Sequence, residues 1–170
     1  LKGKPMVVGG LSPHGIVATA NYEAREYGIH SAMPIFMAKQ RCPHIIIIPP
    51  NRERYKEASR KVFEVFEEYT EVIEGVSIDE AYLDMSQYSI DNLEPAKAIK
   101  QDIFRETGLT ASVGVSYNKF LAKLASEWKK PNGLTIIREE DAMDLLEPLD
   151  IGKVHGVGPK TQERLRQMGF

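Results

Sequence analysis

Apolar residues recur along this chain in two rhythms, and the rhythm changes several times. Near the start, Pro5 to Gly9 and Gly15 to Ala20 read as two short strands, joined by a Gly-Gly-Leu-Ser-Pro-His-Gly turn region over 9–15. Asn21 suits an N-cap for a short helix holding Tyr22, Glu23, Ala24 and Arg25, with Gly28 ending it. Ser31 to Cys42 carries a second helical pattern, with Pro34 near its first turn and Pro43 as its stop. Ile45 to Ile48 is the longest apolar run and reads as a buried strand, after which Pro49-Pro50 marks a domain boundary.

Beyond that boundary the helical rhythm lengthens. Asn51 suits an N-cap, and Tyr55, Ala58, Val62, Val65, Phe66 and Tyr69 follow at helical spacing, an aromatic-rich stripe best assigned to a core. Glu71 to Val76 and Ala81 to Met85 read as strands. Pro95 opens a helix with Ala96, Ile99, Ile103 and Phe104 on one face and Gly108 as its stop. Leu109 to Val115 reads as a strand and Asn118 to Lys130 as a helix facing Phe120, Leu121, Leu124, Ala125 and Trp128 inward. Pro131-Asn132-Gly133 is a turn before a strand over Leu134 to Ile137. From Asn51 the order is helix, strand, strand, helix, strand. One further strand upstream would complete a β-α-β-β-α-β ferredoxin-like plan. The expected fold is therefore α+β. From about Glu139 the chain turns helical, and no internal repeat or low-complexity segment interrupts it.

Composition narrows the picture modestly. The 170 residues are 42% hydrophobic and 27% charged, ordinary for a globular protein. No apolar run approaches the roughly 20 residues of a membrane span. The single cysteine, Cys42, rules out an intrachain disulfide and weakly favours a reducing compartment. A net charge of −2 argues mildly against nucleic-acid binding. Charge is segregated, however: Lys119, Lys123, Lys129 and Lys130 form a basic segment, and Glu139, Glu140, Asp141, Asp144, Glu147 and Asp150 an acidic one. Leu1 at the start and Gly169-Phe170 at the end read as abrupt, so a piece of a longer protein is expected.

The strongest chemical signal is Ser77-Ile78-Asp79-Glu80-Ala81-Tyr82-Leu83-Asp84. Carboxylates are poor strand formers, and neighbours on a regular strand point to opposite faces. For Asp79 and Glu80 to share a site, the chain must turn there. Two carboxylates 4 Å apart repel by roughly 4 kcal/mol at an effective dielectric near 20. A divalent cation such as Mg²⁺ or Mn²⁺ removes that repulsion. A hairpin tip with solvated charges is the plainer alternative.

Val154-His155-Gly156-Val157-Gly158-Pro159-Lys160-Thr161 is the second signal. Its spacing fits neither a P-loop nor a dinucleotide fingerprint. A Gly-x-Gly hairpin between two short helices, expected over Asp150 to His155 and Pro159 to Met168, presents backbone N–H groups. With Lys160 beside it, that suits a phosphodiester contact, or it is simply a tight turn. Tyr22 and Arg25 share a helical face and suit phosphate binding. Lys123, one turn from Lys119, is a further candidate. For each alone, a solvated surface charge is the plainer reading. Glu74 and Asp84 read as solubilising strand ends. The four histidines are scattered, and no hydrolase triad assembles.

Taken in order, these motifs resemble the Y-family DNA polymerases, in particular the bacterial DNA polymerase IV branch. The residues that carry the resemblance are Ala18-Thr19-Ala20-Asn21-Tyr22-Glu23-Ala24-Arg25, then Ser77 to Asp84, then Val113-Gly114-Val115-Ser116 through Phe120-Leu121-Ala122-Lys123-Leu124-Ala125-Ser126. Lys130-Pro131-Asn132-Gly133 and the Gly156-Val157-Gly158 hairpin close the series. The resemblance implies small α/β fingers over 1–50, a ferredoxin-like palm over 51–134 and the start of a thumb with a helix-hairpin-helix over 135–170. It implies that Asp79 and Glu80 help hold two Mg²⁺ ions and act in catalysis. Tyr22, Arg25 and Lys123 would grip a deoxynucleoside triphosphate, while Ala18 and Thr19 lie over the nascent base pair. Gly156, Gly158 and Lys160 would contact DNA.

In this family another metal-binding Asp lies on the first palm strand, and an aromatic that excludes ribonucleotides follows it. Both positions fall before Leu1. The expectation is therefore low-fidelity translesion synthesis by a parent protein, with a poorly active isolated chain and an unpaired gap or edge in its sheet that a homodimer would cover. Primer-template DNA is the expected partner, with a sliding clamp for the full-length protein, no membrane, and a cytoplasmic location. A non-catalytic DNA-binding module built on the helix-hairpin-helix is the alternative. A palm-type nucleotide cyclase is a third reading, disfavoured by the hairpin and the helical tail.

Overall fold

The computed structural model describes residues 1–12 and 14–169. Pro13, in the expected turn region, and Phe170 lie outside the described residues. The chain divides into two compact units, Leu1–Tyr55 and Lys56–Phe170.

In the first unit, β1 (Met6–Gly9) pairs antiparallel with β2 (Val17–Ala20) and parallel with β3 (Ile46–Ile48), giving the order β2-β1-β3. Gly9 is needed where β1 turns toward β2, because a Cβ there would stand 2.6 Å from the Ile16 carbonyl oxygen. Two short helices, α1 (Tyr22–Glu26) and α2 (Ile35–Arg41), sit in the connection to β3. Pro34 is the N-cap residue of α2, immediately before its first turn. The core gathers Val7, Val17, Ala24, Ile29, Ile35 and Cys42, each almost fully buried.

Asn21 is the keystone of this unit's polar bonding. Its Oδ1 accepts from the Ala24 N–H at 3.1 Å, which caps α1, and from the Met6 N–H at 2.8 Å. Its Nδ2 donates to the Lys4 carbonyl at 2.8 Å. One side chain thus ties the start of α1 to the start of β1 and sets where Tyr22 and Arg25 stand.

Helix α3 (Arg52–Glu67) is capped by Asn51, whose Oδ1 accepts from the Arg54 N–H at 3.1 Å. In the second unit it packs with α4 (Glu94–Thr107) around Val65, Phe66, Ile99 and Ile103. The antiparallel hairpin of β4 (Ile73–Gly75) and β5 (Ala81–Leu83) covers that core with Ile73, Ala81 and Leu83. Gly108 ends α4 in the left-handed region, at φ 70°.

A second core lies between α5 (Lys119–Trp128), β7 (Leu134–Ile137) and α6 (Glu139–Leu146). Strand β7 pairs parallel with β6 (Val113–Ser116), with α5 as the crossover. The strand expected from Leu109 begins only at Val113. The β4–β5 and β6–β7 ladders are not hydrogen-bonded to each other. A continuous ferredoxin-like sheet needs a strand between two such ladders, and their residues are mostly half-buried rather than buried, as unfinished sheet edges are.

The tail corrects one expectation. The helix expected over Asp150 to His155 is a single 3₁₀ turn, Ile151–Lys153, followed by α7 (Pro159–Gln167). Gly152, Gly156 and Gly158 fall within nine residues there, and glycine spends too much backbone entropy to sustain a helix.

Candidate active site

Residues 76–80 form the turn of the β4–β5 hairpin. The Val76 and Ser77 N–H groups both donate to the Glu80 carbonyl, at 2.9 and 3.2 Å. This closes the turn that the sequence required and sets Asp79 and Glu80 side by side at its end. Ser77 Oγ donates to Asp79 Oδ1 at 2.6 Å and accepts from the Asp79 N–H at 3.3 Å. The serine thus orients one carboxylate.

The neighbouring carboxylate meets a cation. Lys123 Nζ donates to Glu80 Oε1 in a short ion pair and stands 3.6 Å from Glu127 Oε1, one helical turn along α5. Lys130 Nζ holds the same Glu127 oxygen at 2.7 Å. The Lys123 side chain is only 12% exposed. Burial pulls its ammonium pKa down, but the hydrogen bond and charge of Glu80 and the charge of Glu127 outweigh it, so the net shift is upward. Burial likewise pushes the Glu127 carboxyl up, and Lys130 with Lys123 more than reverse it.

Helix α5 reaches the hairpin for reasons legible in its sequence. Asn118 Oδ1 accepts from the Leu121 N–H at 2.9 Å and caps it. Leu121, Leu124 and Ala125 bury one face. Gly114 on β6 lets the helix lie directly on the strand, since a Cβ there would overlap the Ala122 carbonyl and the Ser126 N–H. Lys119 then falls beside Glu74, at 2.5 Å, with its ammonium 5.8 Å from the Tyr82 ring centroid. Glu74 and Tyr82 are register partners across the hairpin. Two ion pairs, Lys119–Glu74 on β4 and Lys123–Glu80 at the acidic turn, therefore stitch α5 to the hairpin. By sequence alone Glu74 reads only as a solubilising strand end. The signal for Glu127 was its i, i+4 spacing from Lys123; for Glu74 there was none short of the fold.

Asp84 plays a local part: its Oδ1 accepts from the Ser86 N–H at 2.9 Å and from the Ser86 hydroxyl. Those bonds hold its carboxyl below the ordinary range.

Tyr22 and Arg25 come together on α1 in the first unit. The guanidinium carbon lies 5.4 Å from the Tyr22 ring centroid, and Arg25 Nε donates to the Ala20 carbonyl at 2.9 Å. Tyr22 is 47% exposed, and Ala18 and Thr19 point outward on β2. All four thus lie on accessible surface of that unit.

In the tail, Gly156 adopts φ 85°, and a Cβ at either Gly156 or Gly158 would meet nothing within 4 Å. Gly158 caps α7 and Lys160 stands exposed in its first turn. Asp150 Oδ1 accepts from the Gly152 N–H at 2.7 Å, and both its oxygens meet Arg166 Nη2, at 3.1 and 3.2 Å, which binds the hairpin to α7. A cleft of about 270 Å³ runs between this hairpin, residues 152–156, and the Phe120, Lys123, Leu124 and Glu127 side of α5.

Asp79 and Glu80 offer hard oxygen donors of the type Mg²⁺ and Mn²⁺ prefer. Among the described residues no third His, Cys, Asp or Glu joins them in a group that could hold a metal ion. They fit as part of a divalent-cation site, not as a complete one. Cys42 is buried within the first unit's core and no helix among the described residues is long and apolar enough to cross a membrane.

Residues 1–127 match the impB/mucB/samB family, and residues 139–170 match the helix-hairpin-helix motif of the same family. The DNA polymerase IV of Clostridioides difficile (strain 630) is 52% identical over 174 residues, covering 100% of this chain and 48% of that protein. The DNA polymerase IV of Streptococcus suis (strain 98HAH33) is 51% identical over 176 residues, covering 99% of this chain and 50% of its own length. The chain thus spans about half the length of the curated relatives it matches. Among solved structures, DinB from Sulfolobus solfataricus superposes with a TM-score of 0.91 at 41% identity, over 99% of this chain and 51% of that one. An insertion ternary complex of Dbh DNA polymerase gives 0.92 at 40% identity, over 99% and 52%. By motif order, fold and sequence alike, the chain belongs to the impB/mucB/samB family of Y-family DNA polymerases, on the DNA polymerase IV branch.

Proposed function

We propose that this chain carries the fingers, most of the palm and the first part of the thumb of a DNA-directed DNA polymerase specialised for translesion synthesis. The observation that carries this reading is the acidic turn held against α5, with Lys123 paired to Glu80. A binding module has no use for adjacent carboxylates on a tight turn, one of them held by a buried lysine. The segments over 1–50, 51–134 and 135–170 are assigned as fingers, palm and partial thumb.

Within that reading each residue has a task. Tyr22, Arg25 and Lys123 bind and orient the triphosphate of an incoming deoxynucleotide, Arg25 through its planar donor fork. Ala18 and Thr19 lie over the nascent base pair as a surface of small side chains. Little shape selection follows from so roomy a surface, which favours tolerance of damaged templates over fidelity. Asp79 and Glu80 share in holding two Mg²⁺ ions, or Mn²⁺ in their place. When bound, such ions supply Lewis acidity to a primer 3′-hydroxyl and neutralise the triphosphate. Ser77 keeps Asp79 in one orientation for that role.

Gly156, Gly158 and Lys160 contact the phosphate backbone of primer-template DNA, with bare N–H groups and one cation. A cytoplasmic location and a sliding-clamp partner for the full-length protein belong to the same reading. The unlinked ladders favour a homodimer of this chain.

Full-length protein should extend a primer in the presence of Mg²⁺, and Asp79→Ala or Glu80→Ala should abolish extension. Extension at the wild-type rate by either variant would sink the site assignment. The open helix-hairpin-helix surface favours one rival, a non-catalytic DNA-binding module. Salt-dependent DNA binding with no Mg²⁺-dependent nucleotide binding would decide for that rival.

A further inference from the structure

Lys123 touches two carboxylates, and only one of them lies on the acidic turn. We propose that the Lys123 ammonium is an internal counter-ion that holds Glu80 when no divalent cation is bound and is handed to Glu127 when a cation takes Glu80. This makes Glu127 a positioning residue for Lys123. The inference rests on the polymerase reading of Asp79 and Glu80 and deepens it.

Five observations carry the exchange. The Glu80 carboxylate, which a divalent cation would share, already holds the ammonium through Oε1. A doubly charged ion and an ammonium on the same carboxylate repel, so one displaces the other. Lys123 is otherwise buried on α5, so its ammonium has few places to go. Glu127 Oε1 waits 3.6 Å away on the same helix, a contact that needs only a small side-chain rotation to tighten. The cleft of about 270 Å³ bordered by Lys123 and Glu127 leaves room for that rotation. Lys130, at 2.7 Å from the same oxygen, holds the Glu127 side chain in place whether or not Lys123 has arrived.

The consequence is a site charged for substrate only after the metal enters. Before that, the ion pair relieves the repulsion between Asp79 and Glu80. Afterwards Lys123 is released from Glu80 yet kept at the same helix face, available to an anionic triphosphate. Because ammonium and metal share one carboxylate, their binding is antagonistic, and the coupling is reciprocal.

The test is Mn²⁺ binding by the full-length protein, read from the electron paramagnetic resonance of free Mn²⁺, with no nucleotide present. Lys123→Met should tighten Mn²⁺ binding about fivefold, the scale of a partly exposed ion pair. Glu127→Gln should weaken it about threefold by leaving Lys123 nowhere else to go. In the Lys123→Met background Glu127→Gln should then have no effect, because its influence passes through Lys123. An equal effect of Glu127→Gln in both backgrounds would show only the general field of a nearby charge and would overturn the exchange. So would unchanged affinity in Lys123→Met. If Asp79→Asn and Glu80→Gln leave Mn²⁺ binding untouched, the metal reading of the turn fails and the exchange fails with it. If they abolish binding while the Lys123–Glu127 cycle shows no coupling, the exchange alone fails. Glu127 is half exposed, so its variant is expected to fold, and circular dichroism of each variant confirms it.

Discussion

Tyr69 donates its hydroxyl hydrogen to Asp102 Oδ2 at 2.5 Å, joining the end of α3 to the middle of α4. Burial first, then the hydrogen bond to Asp102, pushes the Tyr69 hydroxyl from its ordinary 10.0 up to about 12. The same bond draws the Asp102 carboxyl down, with Arg105 assisting. The folded chain therefore keeps the tyrosine proton where the unfolded chain loses it. That contribution to stability is full below pH 10 and is lost as pH rises through about 12. The Asp102 contribution runs the other way, present above the ordinary carboxylate range and lost as pH falls below it through the lowered pKa of the folded chain. Tyr69→Phe should lower stability by about 1 kcal/mol at neutral pH, the net worth of one such bond, and should flatten the alkaline limb. Urea midpoints from pH 7 to 12 measure both, and an alkaline limb as steep in the variant as in the wild type would contradict the assignment. The hydrogen bond was not legible in the sequence, since Tyr69 appeared only as the last member of a core stripe.

At the scale of elements, the decisive contact is α5 on β6. Gly114 lets the two backbones meet, and a Cβ there would press on the Ala122 carbonyl, the Ser126 N–H and, at 2.9 Å, the Ala125 Cβ. None of these is a flexible side-chain end that could swing away. Gly114→Ala should therefore cost about 3 kcal/mol in chemical denaturation, as overpacking at a rigid contact does. It should also shift α5 enough to part Lys123 from Glu80, read as lost nucleotide binding at temperatures where the variant remains folded. A change below roughly 0.5 kcal/mol, the range of ordinary surface substitutions, would mean that the helix slides without consequence. The helix itself was plain in the sequence, with its Asn118 cap and apolar face. The need for glycine beneath it was not, because nothing in a strand pattern says which neighbour approaches.

At the scale of the molecule, the described residues of the second unit hold two ladders with no hydrogen bond between them. Strands β4 and β5 pair only with each other, as do β6 and β7, so each ladder has edges that no strand of the described residues covers. Exposed edges of half-buried apolar strands invite pairing with another chain. Sedimentation velocity of this chain should show association that grows with concentration. A monomer at every concentration tested would show that the edges are covered within the chain.

The sequence by itself determined most of the elements and their order up to the glycine-rich tail, because helical and strand rhythms are local and Pro, Gly and Asn punctuate them. It determined the turn at Asp79 and Glu80, since adjacent carboxylates on a strand cannot face one site, and it carried the ordered motifs that mark the family. Only the tertiary structure decided that Lys123 holds Glu80, that Lys119 holds Glu74 and that Glu127 stands behind them. Those partners lie up to 45 residues apart and meet only because α5 crosses over β6 on a bare glycine. Charges distant in the chain carry no sequence rhythm of their own, and their pairing becomes definite only when packed backbones set the distance between them.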